Sequence, residues 1–439
     1  MGLALACIVV YWRWPYGALG VLIVASVMPR VKVEIGGWNA RPEHFAAFGV
    51  LIALFFRLLS PQKQSPKLVP TKTDYWVALY VMWNYVSSAW MSPDPKMTLR
   101  WALLTNLVVL PYFLIRLIVT NQRIQRWAFK TFLVVGVIEF VYAIAAYASR
   151  HLLDTSFGVE IGQYAVGFEG VYGSQYEPNI LGSYSACFAI MFLVLAFLPD
   201  RKANWAIGGT IVAQAALLVS LSRAAFASFI LACFVLLFLG VRRGLIRTKK
   251  VLLVGLGLAL FLAPIAATGG RNLVTRMANL SEGDVQNDVE TMGRLVSWAV
   301  ALEDVQRHPI VGNGTASFQL LAGTTQLPIL GDQPWVANYV IRILHDMGLI
   351  GMFLFIGLIF TLFKQVKRAI SQNGPGRDIV IALAAGCLVY VVAFMSAEGT
   401  MLSFFWVHLG LLASACAVST VTVDRLPGQS IRADWSHGA

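Results

Sequence analysis

The chain has 439 residues, 58% of them hydrophobic, and a mean hydropathy of +0.68, which excludes a soluble globular domain. Its net charge of +12 would suggest nucleic acid on a soluble protein. Here most basic residues lie between apolar runs, where they encode orientation in a membrane, so the expected partners are membrane lipids or an anionic substrate and not nucleic acid.

The apolar runs are continuous and about 20 residues long, the length of a bilayer-spanning helix, and do not alternate as barrel strands do. The fold class predicted is an all-α polytopic membrane protein. Twelve spans are expected, at approximately 3–28, 41–59, 74–91, 97–119, 125–149, 178–198, 204–221, 224–241, 249–268, 336–363, 378–397 and 401–421. The first is interrupted between Arg13 and Pro15, and as two half-helices it would move the N-terminus across the membrane. It lacks the basic region and cleavage site of a signal peptide. Lys63, Lys67 and Lys72, Arg123 and Arg126, Arg201 and Lys202, the run "VRRGLIRTKK", and Lys364, Lys367, Arg368 and Arg377 all fall on one side of alternating spans. That side is read as cytoplasmic, with both termini on it. About nine spans in 1–268 are thus followed by a large extracytoplasmic loop, 269–335, and by three spans and a cytoplasmic tail in 336–439.

The loops around 150–177 and 269–335 face outward in this reading. In the second, "ETMGRLVSWAVALEDVQRHP" sets Leu295, Trp298, Ala299, Leu302 and Val305 at helical spacing up to Pro309, which predicts an amphipathic helix at the membrane face. "IVGNGTASF" reads as a Gly-rich turn, and Glu169, Arg271 and Arg276 as loop charges. Cys7, Cys187, Cys233, Cys387 and Cys416 lie in apolar runs without paired spacing and read as packing residues. No metal-ligand cluster, nucleotide loop or internal repeat is visible, so no metal or other cofactor is expected.

Ions at the membrane are costly and point to function. Arg223, in "LLVSLSRAAFASF", reads either as an arginine reaching for headgroups or as a guanidinium that binds phosphate, the small Ser222, Ala224 and Ala225 allowing close approach. Arg294 heads the amphipathic helix and carries the same choice between solvated charge and ligand. In "WVANYVIRILHDMGLIGMFLFIGLIF", Asn338, Arg342 and His345 share a face that should look into the bundle. Asp346 reads as an ion-pair partner for an arginine, His345 as either packed or active, and Gly348 and Gly351 as sites of close helix packing. Glu177 and Asn179 flank Pro178 at the start of a span, and Glu398 stands at another outer junction. Either carboxylate could serve a helix dipole or act as a general base.

Four segments together resemble the O-antigen ligase and Wzy-type polymerase superfamily of polytopic, GT-C-like glycosyltransferases. They are "GVYGSQYEPNILGSYSA", "SLSRAAF", "GRLVSWAVALEDVQRHPIVGNGTASF" and "ANYVIRILHDMGLIG". The resemblance implies a metal-independent inverting enzyme of the bacterial inner membrane. It would move a glycan from an undecaprenyl diphosphate carrier to an acceptor hydroxyl at the periplasmic face. The acceptor would be another glycan in a polymerase of O-antigen or exopolysaccharide, or lipid A-core in a ligase. It makes Arg223 and Arg294 the diphosphate-binding candidates, with Asn179, Asn338, Arg342 and Asp346 in support. The family's histidine, the suspected base, corresponds to Ala337, which accepts no proton. Glu177, His345 and Glu398 are the candidate substitutes, and the departure favours a polymerase over a lipid A-core ligase. The alternatives are a transporter of a small anion or lipid-linked sugar, and an inactive member that binds lipid-linked glycan.

Overall fold

The computed structural model describes residues 14–35, 38–59, 69–155, 157–160, 170–198, 204–242, 289–323, 335–372 and 374–424. The expected span at 249–268, the start of the first span, Cys7, Glu169, Arg271 and Arg276 lie outside them, with most of the basic run after Arg242.

The helices are α1 Pro15–Ser26, α2 Pro42–Leu59, α3 Lys72–Trp90, α4 Pro95–Leu107, α5 Leu110–Ile118, α6 Gln122–Leu153 and α7 Pro178–Phe197. They continue with α8 Asn204–Ser220, α9 Arg223–Arg242, α10 Val289–Val305, α11 Phe318–Gly323, α12 Tyr339–Ser371, α13 Arg377–Ala393 and α14 Ser403–Asp424. Two small antiparallel hairpins, β1 Val33–Ile35 with β2 Trp38–Ala40 and β3 Val159–Glu160 with β4 Gly170–Val171, decorate the loops. Among the described residues, six segments are long and apolar enough to cross a membrane: Pro95–Ile118, Gln122–Leu153, Pro178–Phe197, Tyr339–Ser371, Arg377–Ser396 and Ser403–Thr420. Tyr16–Ser26, Pro42–Phe56, Asn204–Ser220 and Arg223–Phe238 are shorter apolar helices. The protein is an all-α polytopic membrane protein.

Local sequence explains the helix starts. Proline opens α1, α2, α4 and α7, where its missing N–H costs nothing. Asp94 Oδ1 accepts from Met97 N–H (3.0 Å), Asn121 Oδ1 from Ile124 N–H (3.0 Å), and Asn338 Oδ1 from Val340 and Ile341 N–H (3.0 and 3.2 Å). Asn338 therefore caps α12. α7 lies at the centre, buried along most of its length against α8, α9 and α13.

α12 is not the uninterrupted helix expected. At Gly348 the backbone turns to φ 65°, ψ −165°, and a side chain there would strike Ile310 of the 309–314 loop. The loop fills the break. Asn313 and Gly314 N–H donate to the carbonyls of His345 (2.8 Å) and Asp346 (2.9 Å). Leu349 and Ile350 N–H donate to those of Pro309 (2.9 Å) and Ile310 (3.1 Å). Four backbone groups freed inside an apolar bundle are thus paired, as low dielectric demands. Gly348 serves a break that admits a loop, and not the helix–helix packing read from sequence. Gly312, at φ 89°, lies too close to the Asp346 backbone for any side chain. Polar residues of α3 seat the rest of the loop: Ser88 Oγ donates to Thr315 Oγ1 (2.9 Å), and Thr315 Oγ1 to Asn84.

Loops that the charge pattern assigns to one side meet one another. Arg116 Nη2 reaches Val69 O (3.2 Å), Gly376 abuts Gln125, and Ser419 Oγ reaches Pro375 O (3.3 Å). At the opposite end Arg30 lies 3.5 Å from the Tyr172 ring centroid and donates to Tyr176 O (3.1 Å), while Gln175 Nε2 donates to Val27 O (3.0 Å).

Candidate active site

The end opposite the basic loops contains a cavity of about 510 Å³, within the size range of small-ligand sites. Five separated stretches of sequence line it: Asn39 to His44, Met97 to Thr105, Tyr176 to Ile180, Trp335 with Ala337, and Glu398 to Leu402. Each lies at or beside a helix terminus, so the site is built where spans end.

Glu177 is held by its loop. Glu139, inside α6, accepts from Ser174 N–H (2.9 Å) and from the Ser174 hydroxyl (2.6 Å). Gly173, at φ 59°, is pressed against the same carboxylate. The Glu139 anchor and the Val27 contacts bring the Gly-rich segment down onto the bundle, and Glu177 follows as the extended residue before Pro178. Glu398 lies between two 3₁₀ turns, Phe394–Ser396 and Gly399–Met401. The next turn is tied from both sides: Arg342 Nη2 donates to Thr400 Oγ1 (2.5 Å) and Trp406 Nε1 to Thr400 O (2.8 Å). Burial raises the Glu398 carboxyl to about 8; Arg342 opposes the rise, and Asp346 and Glu177 add to it. Its Oε1 is closed off from solvent without a hydrogen-bond partner.

The cavity wall also carries Arg41, His44, Arg100, Trp101 and Trp335, none of which sequence reasoning singled out. Arg41 pairs with Glu43 (3.0 Å), and Trp101 meets Trp335 edge to face, ring centroids 5.7 Å apart. A signal existed: Arg41 and Arg100 each sit at the outer start of an expected span, as Arg223 does.

The remaining candidates lie elsewhere. Arg342 and Asp346 face each other at 3.7 Å, as expected of an arginine partner for Asp346. His345 is fully buried, with Nδ1 2.9 Å from Asp346 Oδ1, Nε2 3.8 Å from Asp304 Oδ2, and Phe318 edge-on to its ring. The chain Asp304–His345–Asp346–Arg342 thus runs beneath the helix break, and His345 does not line the cavity. Asn179 is buried in the first turn of α7. Arg223 begins α9 after a tight turn in which Leu221 takes φ 53°. That turn packs against Gly182 of α7, beside the cavity but not in its wall. Arg294, half-buried on α10, does not line it either. The cavity therefore unites Glu177, Glu398 and Ala337, and leaves out Arg223, Arg294 and His345. Cys187, Cys233, Cys387 and Cys416 are unpaired thiols in the bundle.

Carboxylates and guanidinium groups thus converge on one cavity at the helix ends of a membrane bundle. Residues 208–356, about a third of the chain, match the family model described as O-Antigen ligase. The match takes in Arg223, Arg294 and the whole loop-and-break unit, while Glu177 and Glu398 lie outside it. None of the curated proteins compared matches the chain closely enough to count as a relative.

Proposed function

We propose that the protein is a repeat-unit polymerase that moves glycan from an undecaprenyl diphosphate carrier to a hydroxyl of an acceptor glycan at the periplasmic face. The observation that carries this reading is the pair Glu177 and Glu398 in one cavity with Arg41 and Arg100. The acceptor oxygen attacks the anomeric carbon from the face opposite the diphosphate. The bond from that carbon to the diphosphate oxygen breaks, its electron pair leaves with the diphosphate, and the configuration inverts. The hydroxyl proton passes to Glu398, whose carboxyl titrates near 8, close to neutral pH, as suits a general base. Guanidinium groups stabilise the charge that develops on the leaving diphosphate, and bidentate geometry suits them to it. Arg223 and Arg294 take that role, with Arg41 and Arg100 in the cavity wall. Because Ala337 lines the cavity without offering a base, an acceptor glycan is favoured here over lipid A-core. A transporter is disfavoured because its substrate site belongs near the bilayer midplane, and these walls come from helix ends.

The test is lengthening of a lipid-linked repeat unit by the purified protein. Glu398→Gln should slow it by roughly 10²- to 10⁴-fold, and Arg223→Ala and Arg294→Ala should each abolish it at unchanged expression. Full activity in all three variants would overturn the reading.

A further inference from the structure

Ala337 takes an imidazole out of the fourth motif, yet the cavity it lines contains one. His44 enters from the first turn of α2, 7% exposed. Its Nδ1 accepts the backbone N–H of Arg41 (3.3 Å), the reach of a third helical residue back to its N-cap. A neutral imidazole carries one ring hydrogen, and with Nδ1 engaged as acceptor that hydrogen is on Nε2. Nε2 is shut off from solvent and has no hydrogen-bond partner. Glu398 Oε1, on the same cavity, is in the same condition. Buried polar groups in folded proteins are nearly always paired; His345 Nε2 and Asp304 Oδ2 also lack a hydrogen-bond partner, but His44 and Glu398 stand on a cavity wall, where a ligand can supply one. A ring donor and a carboxyl oxygen, both orphaned around one largely apolar cavity, fit a ligand group that accepts one hydrogen bond and gives another. A hydroxyl does both.

We propose that His44 is an acceptor-binding residue: its Nε2–H donates to the oxygen of the acceptor hydroxyl and leaves that hydroxyl's hydrogen free to point at Glu398. The assignment rests on the glycosyl-transfer reading of the cavity. It gives His44 a different task from a general base. To take a proton at Nε2 the ring would have to carry its hydrogen on Nδ1, facing the N–H of Arg41. The histidine missing at Ala337 is thus replaced from another helix as a hydroxyl ligand, and proton removal stays with the carboxylate. Arg41 and Arg100 from the neighbouring walls, with Glu177, complete the charged groups that face the ligand.

Two near-isosteric amides separate the roles of the two ring nitrogens. The Gln side-chain nitrogen reaches the Nε2 position, whereas an Asn side chain keeps the contact to Arg41 and stops short of the cavity. Full-length wild type, His44→Gln and His44→Asn are purified, checked for equal thermal unfolding, and assayed with undecaprenyl diphosphate-linked repeat units extracted from cells lacking this protein. His44→Asn should lower kcat/KM for the acceptor about tenfold, the loss of one hydrogen bond, mainly through KM. His44→Gln should stay within about threefold of wild type, less than one such bond is worth, with the pH profile unchanged. Wild-type kinetics in His44→Asn overturn the assignment, as does a His44→Gln enzyme that is inactive or has lost its pH dependence, which would make the ring the base. No lengthening by wild type overturns the transfer reading and the role of His44 with it; an active wild type beside an equally active His44→Asn overturns the role alone.

Discussion

Two acidic centres lie toward the same end of the bundle, and they differ in whether a cavity borders them. Under the break in α12, Asp304, His345, Asp346 and Arg342 form a buried relay closed by Phe318 and by the 309–314 loop. In the cavity, Glu177 and Glu398 face open volume beside Arg41, His44 and Arg100, and both Glu398 Oε1 and His44 Nε2 lack partners. Similar residue types do opposite work. In the relay, Asp346 lies between Arg342 and His345 and accepts the N–H of Ala316 just past the docked loop (3.3 Å); in the cavity, the proposed function gives the polar groups to a ligand.

Three changes probe that contrast. The largest expected effect is from Gly348→Ala. Its φ of 65° with ψ of −165° belongs to a region only glycine occupies at ease, and the new Cβ would strike Ile310. Backbone strain of ~1–3 kcal/mol plus the clash should sharply lower the yield of monodisperse protein and its unfolding temperature. A variant as stable as wild type would mean that the loop does not dock in the break. Next, Asp346→Asn removes one partner from between Arg342 and His345 and should cost about 3–5 kcal/mol in thermal unfolding. Glu398→Gln should leave stability within ~1 kcal/mol while removing transfer, because it discards a carboxyl that burial disfavours when charged. If Glu398→Gln destabilises and Asp346→Asn does not, the two centres have exchanged roles.

The smallest effect concerns pH. With Glu398 near 8, transfer should rise with pH through that value. Glu177 adds to the elevation, so Glu177→Gln should move the rising limb to lower pH. The raised value also sets the sign for stability. The folded protein binds this proton more tightly than the unfolded chain, so the carboxyl's contribution is full below its ordinary value of 4.5 and is lost as pH rises through 8. An unmoved limb in Glu177→Gln would mean that the carboxylates do not share the cavity's field.

The sequence alone determined the helical membrane bundle, and it marked Glu177, Glu398 and the Asp346–Arg342 pair as candidates. Span length and loop charge are local quantities set by bilayer thickness and electrostatics, and they can be read one segment at a time. It also marked "HPIVGNG" and "HDMGLIG" as separate segments without revealing that the first fills a gap in the second. Nothing in a hydropathy pattern distinguishes a glycine that packs a helix from one at φ 65° that breaks it. Only the tertiary structure put His44, Arg41 and Arg100 into the cavity with Glu398 and kept His345 out of it. A pocket made from five helix termini scattered between residues 39 and 402 depends on which helices pack together, and that is decided by complementary side-chain shapes across the bundle and by no single stretch of the chain.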